Sequence, residues 1–172
     1  MIHATGTRSS ATYSGGMRWP AAAFEFRGTW TVAAPLAVVR EAVVDLEHYP
    51  EWWPQIRAVA KLGPDDAWVR CRSALPYTLD LMLHAVSREG TVLEVEVSGD
   101  LDGVVLWRLA PDGEGTRMDF EQRVAVSGPL ALGSYVARPL LRWNHQRMML
   151  GCIAGLRRRL AGRALGGSTP VT

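Results

Sequence analysis

From Phe24 to about residue 127 the chain is cut into short segments in which apolar side chains alternate with polar ones. Beyond Gly128-Pro129 the period becomes helical. Alternation at period two buries one face of a strand and wets the other, the habit of antiparallel sheets. Seven segments fit it: 24–32, 56–62, 66–74, 78–88, 91–98, 103–110 and 116–127. In the fifth, Leu93, Val95 and Val97 alternate with Glu94 and Glu96. The last six follow one another at spacings of about ten residues, punctuated by turns such as Gly63-Pro64-Asp65-Asp66 and Pro111-Asp112-Gly113-Glu114-Gly115. That spacing suits a meander and is too short for βαβ crossovers.

Two short helical stretches are predicted between the first and second strands. Pro35 suits a first helical turn, and Leu36, Val39, Val43, Val44 and Leu46 follow at helical spacing over 35–46. Tyr49-Pro50-Glu51-Trp52-Trp53-Pro54 reads as a short helical turn or bend. After Gly128-Pro129 the pattern turns helical, and Pro139 marks a kink or a fresh first turn. The main helix runs to Leu160-Ala161, about 33 Å at 1.5 Å per residue.

Projected at 100° per residue, Leu141, His145, Met148, Met149, Cys152, Ile153, Leu156 and Leu160 share one face of that helix. Arg138 and Arg142 fall on the same stripe at its N-terminal end, and Arg147, Leu150 and Ala154 lie opposite. A lone histidine on an apolar stripe is most often a satisfied core residue. Its rival role is a polar handle in a ligand cavity, in the company of the adaptable side chains Met148, Met149 and Cys152. An arginine on such a stripe needs a carboxylate, carbonyls, water or an acidic ligand.

With 172 residues, 48% of them hydrophobic, the chain suits one domain. The expected division is a flexible arm over 1–22, a domain over 23–163 and a disordered tail over 164–172. No run of 18 apolar residues occurs, so a membrane-spanning helix is excluded. Cys71 and Cys152 lie far apart and outside any CxxC pattern, which argues against a disulfide framework or structural zinc. With no signal-peptide pattern at the N-terminus, a cytoplasmic location is expected. The four histidines, at 3, 48, 84 and 145, have no metal-ligand spacing. Neither a metal nor a cofactor is expected.

Charge is unevenly spread. All 17 acids lie within residues 24–121 beside nine Lys and Arg, whereas residues 122–172 hold eight Arg and no acid. A basic segment of this kind could neutralise phosphates. The matching magnitudes and the lack of interleaved aromatics favour a basic helix lying on an acidic sheet, with no nucleic-acid partner. Asp80 and His84 share the polar side of their strand, next to Arg70 and Arg72. An outer-face charge ladder is expected there, in preference to an Asp80–His84 acid/base pair. No GxSxG setting is present, and Gly113-x-Gly115 sits in a hairpin turn where it cannot serve as a phosphate loop.

The sequence resembles the START-like SRPBCC superfamily, in its bacterial polyketide cyclase/dehydrase and lipid-transport branch. The resemblance is carried by Thr29-Trp30-Thr31-Val32-Ala33-Ala34-Pro35, by Val43-Val44-Asp45-Leu46-Glu47-His48-Tyr49-Pro50-Glu51-Trp52-Trp53-Pro54, and by Trp143-Asn144-His145 with Met148-Met149 and Gly151. It covers residues 24–162. It implies an α+β helix-grip fold: a seven-stranded curved antiparallel sheet wrapped around a long C-terminal helix, with two short helices after the first strand and a deep cavity between sheet and helix. Mapped onto this chain, Trp52 and Trp53 fall on the short second helix. His145, Met148, Met149 and Cys152 fall on the cavity side of the last helix. Inward sheet positions would include Trp30, Leu79, Leu81, Leu83, Leu93, Val95, Val105, Trp107, Phe120 and Val124.

The expected ligand-binding set is therefore Trp52, Trp53, Leu81, Leu83, Val95, Trp107, Phe120, Leu141, His145, Met148, Met149 and Cys152. The expected partner is a hydrophobic small molecule (a lipid, a quinone or a polyketide-like compound), with no stable membrane insertion, and the chain is compatible with a monomer or a homodimer. A polyketide aromatase/cyclase or dehydrase acting on a poly-keto chain is the enzymatic alternative, with His145 and Arg142 as candidate catalytic groups and Tyr77 and Tyr135 behind them. A third class is an interaction module in which Trp52 and Trp53 form an exposed docking patch.

Overall fold

The computed structural model describes residues 22–72, 75–126 and 138–166. Seven strands form one curved antiparallel sheet: β1 (Ala22–Val32), β2 (Ile56–Lys61), β3 (Asp66–Arg72), β4 (Thr78–Ser87), β5 (Val92–Gly99), β6 (Leu101–Asp112) and β7 (Gly115–Val126). The order is β1-β7-β6-β5-β4-β3-β2, so β2 to β7 run as a meander and β1 closes on β7. Three helices accompany the sheet among the described residues: α1 (Leu36–Val44), α2 (Tyr49–Trp52) and α3 (Arg138–Gly166), with a 3-10 turn, Leu46–His48, before α2. The architecture is the α+β helix grip.

Most boundaries follow from local chemistry. Pro35, expected inside the first turn of α1, stands one residue before it at the N-cap position, where its carbonyl accepts from the Val38 and Val39 N–H groups. Pro139 sits in the first turn of α3, where a missing N–H costs nothing; the helical stretch expected just after Gly128-Pro129 lies outside the described residues. Several boundaries move from the sequence expectation, most by one or two residues, and two shifts have a plain cause. Strand β6 begins at Leu101, because Gly99 takes φ +112° and turns the chain at once. Helix α3 runs through Gly162 to Gly166 and takes in part of the expected tail. A single glycine costs a helix only about 1 kcal/mol. The remainder of the expected arm and tail, and Tyr135, lie outside the described residues.

The second half of α3 is fastened to the short helices. Cys152, Ile153, Leu156 and Leu160 are buried with Val39, Ala42, Val43, Tyr49 and Trp52 in the main core. Gly155 lets the two backbones meet: a Cβ built there would lie 1.7 Å from the carbonyl oxygen of Trp52. Arg159 adds ion pairs to Asp45 (3.3 Å) and Glu51 (2.9 Å), and Arg163 adds one to Glu41 (3.3 Å). The basic helix thus meets the acids of α1 and α2, where a match with the sheet had been expected. The outer-face ladder is present, with Arg70 on Asp80 at 2.8 Å and His84 on Asp66 at 2.8 Å. Each member of the suggested Asp80–His84 pair therefore has a different partner.

Candidate functional site: a cavity between the sheet and the last helix

The buried core has two clusters. A main one surrounds the second half of α3, and a smaller one holds Phe24, Val124 and Val126 with Leu101 and Leu141, Phe26 packing against both. A cavity of about 250 Å³ extends between them, bounded by the concave face of the sheet, the first half of α3 and the α1–α2 segment. Alternation produces the sheet wall. Leu79, Leu81, Leu83 and Ala85 of β4, Leu93, Val95 and Val97 of β5, and Phe120, Gln122, Val124 and Val126 of β7 are every-second residues on one face. The α1 end is tied to the β4–β5 turn by Arg40, whose guanidinium donates to the carbonyls of Gly90 (2.9 Å) and Arg88.

Ten of the twelve expected ligand-binding residues line this space: Trp53, Leu81, Leu83, Val95, Trp107, Phe120, Leu141, His145, Met148 and Met149. Two do not. Trp52 is 6% exposed, packed at 4.8 Å edge-on to Tyr49 with its back to α3, and Cys152 is 2% exposed in the main core. Trp52 is therefore not part of an exposed docking patch. Trp30 faces the expected side of β1, but its indole folds over Gly28, where a Cβ would lie 2.2 Å from the ring, and packs on Trp107 and Phe120 without reaching the cavity. Arg142 is exposed and absent from the lining, contrary to its projected place on the stripe. Leu160 has the same angular position five turns later and is buried, because α1 and α2 cover that half of the helix.

His145 occupies the polar corner of the wall. Its ring stacks on Phe26, centroids 3.8 Å apart and planes 13° from parallel, and leans on Phe120 at 5.7 Å. Its Nε2 is 3.0 Å from Oε1 of Gln122. With the amide oxygen facing the ring, Nε2 carries the proton and donates, leaving Nδ1 as the acceptor. Burial pushes the imidazole pKa down to about 4, so the ring is neutral at pH 7. Beside it, Nδ2 of Asn144 lies 3.4 Å from the Tyr77 hydroxyl. Burial also pushes the Cys71 thiol in the wall up to about 12, which keeps it protonated.

Gln122 and Asn144, with Ser87 and Arg88 at the end of β4, are polar lining residues that the expected ligand-binding set lacked; the first two belong to the polar corner. Both of these carried a signal. Gln122 has the parity of Phe120 and Val124, and Asn144 falls between Leu141 and Met148 on the helix surface. Among the described residues no group of three His, Cys, Asp or Glu side chains could hold a metal, and no helix is long and apolar enough to cross a membrane.

Known proteins share this architecture. A Mycobacterium smegmatis START superfamily protein superposes with a TM-score of 0.68 at 18% identity, covering 80% of this chain and 97% of its own. The Zhui aromatase/cyclase from Streptomyces sp. R1128 gives 0.71 at 17% identity, covering 86% and 100%. A Thermus thermophilus protein gives 0.71 at 18%, covering 84% and 99%. No curated protein matches the chain. At these identities the likeness establishes the fold. The sequence itself matches the family described as polyketide cyclase / dehydrase and lipid transport over residues 23–161. The chain is thus a member of that family, and its function is of the hydrophobic-ligand-binding or polyketide-cyclase type.

Proposed function

We propose that the protein binds a hydrophobic small molecule in the cavity between the sheet and α3, as a carrier or sensor. The observation that carries this reading is the wall itself: a mostly apolar surface with a corner of neutral hydrogen-bonding groups and, among the described residues, a single charged one, the ion-paired Arg88, at the end of β4. Sites for small apolar ligands have that composition. An apolar occupant would bury this surface and gain packing contacts that water does not supply.

The cyclase alternative asks for a proton-transfer group matched to neutral pH. His145 is a weak base with its Nε2 proton already given to Gln122. No carboxylate lines the wall among the described residues, and Arg142 faces solvent. These facts favour binding over chemistry. Native mass spectrometry of gently purified protein tests the reading. The expected result is a mass above that of the chain that disappears on denaturation, or one that appears after exposure to lipids and quinones. A bare chain after both treatments would overturn it.

A further inference from the structure

We propose that the cavity selects an uncharged apolar molecule ending in a carbonyl or hydroxyl group, seats that end beside Gln122, Asn144, His145 and Tyr77, and refuses the corresponding carboxylate. This deepens the binding reading and rests on it.

The argument begins with charge. Arg88 is the one described lining residue with a formal charge at neutral pH. It stands at the end of β4, its side chain 43% exposed and ion-paired to Asp65. Arg142 and Arg147 of α3 are exposed and outside the lining, and Arg138 is exposed with its guanidinium 5.5 Å from the Phe24 ring centroid. The stretches that join β3 to β4 and β7 to α3 in sequence, 73–77 and 127–137, contain no acidic or basic residue. A carboxylate in the polar corner would therefore meet no cation from these elements. A buried, unpaired carboxylate is either excluded or enters as the neutral acid.

The polar groups suit a different ligand. An amide, a hydroxyl and a neutral imidazole both donate and accept hydrogen bonds, which matches a carbonyl or hydroxyl end. They sit together because of the fold: Gln122 is opposite Phe26 on β1 and Val105 on β6, Asn144 and His145 lie in the second turn of α3, and Tyr77 precedes β4. Away from this corner the wall toward α1 carries Val44, Leu46, Leu83 and Ala85, with Ser87 and the ion-paired Arg88 at the end of β4. The ligand's polar end accordingly lies against the first half of α3 and its apolar body points to α1.

The test uses the full wild-type chain and an uncharged apolar fluorescent reporter. Dodecanol, dodecanal and dodecanoate compete for it at about pH 8 and about pH 5. The expected result at the higher pH is that the alcohol and aldehyde displace the reporter at least about tenfold better than dodecanoate. The gap should narrow at the lower pH, where more of the acid is neutral. A dodecanoate that competes equally well at about pH 8 would overturn the inference while leaving binding intact. A protein that binds neither the reporter nor any of the three would overturn the binding reading as well.

Discussion

The Nε2 of His145 lies 3.0 Å from the Oε1 of Gln122, joining α3 to β7 across one end of the cavity. Both groups are partly shielded from water, so each depends on the other. Replacing Gln122 with Leu leaves the imidazole N–H without its partner, and the expected loss is about 1–3 kcal/mol. Urea unfolding of the two single variants and the double variant, Gln122→Leu with His145→Phe, measures the coupling. The double variant should be more stable than the sum of the single effects, since no polar group remains unpaired.

The buried imidazole also sets a pH dependence. Its pKa is about 4 in the folded protein against about 6.5 in the unfolded chain, so between those values the unfolded state binds the extra proton. Stability therefore rises with pH across that window and is fully present above it. Acidification from about pH 6.5 to about pH 4 should remove up to about 3 kcal/mol through this residue. His48 and His84 act in the opposite sense. The hydrogen bonds of Asp45 and Asp66 raise their pKa values, so their stabilisation is present at low pH and is lost as pH rises through the raised values. Both are exposed and contribute little. Comparing denaturation midpoints of the wild type and His145→Phe across the window isolates the effect, and the variant should show a shallower acid slope.

Two glycines of α3 should respond in opposite directions. Gly155→Ala puts a methyl group on the Trp52 carbonyl oxygen, so α2 and α3 must separate, with an expected loss of about 1–3 kcal/mol. At Gly162 a Cβ would meet nothing within 4 Å, and Gly162→Ala should stabilise the helix by about 0.4–1 kcal/mol. Thermal unfolding of the two variants gives both signs in one experiment.

The sheet was legible in the sequence because alternation and turn chemistry are local. The parity of Leu81, Leu83, Val95, Trp107 and Phe120 follows from period two alone. The stripe on α3 likewise revealed which residues turn inward, but inward space is of two kinds. Cys152 and Leu156 point at α1 and α2 and are packed, whereas His145 and Met148 point at the hollow sheet face. That difference depends on where a four-residue helix docks, which no periodicity encodes. The same contact decides between neighbours: Trp52 enters the core and Trp53 lines the cavity. Arg142 was misplaced because an angular projection assumes that the helix is covered equally along its length.

The central claim is that an apolar molecule occupies the space beneath α3. Leu83 of β4 lines that space and is only partly buried at the edge of the main core, so Leu83→Trp is expected to fill part of the cavity. Titrating the wild type and Leu83→Trp with the same uncharged fluorescent reporter, alongside their urea midpoints, is the most direct measurement. The account predicts saturable binding to the wild type and at least about tenfold weaker binding to a variant that still unfolds cooperatively. A wild type that takes up no reporter, or a folded variant that binds it equally well, would contradict it.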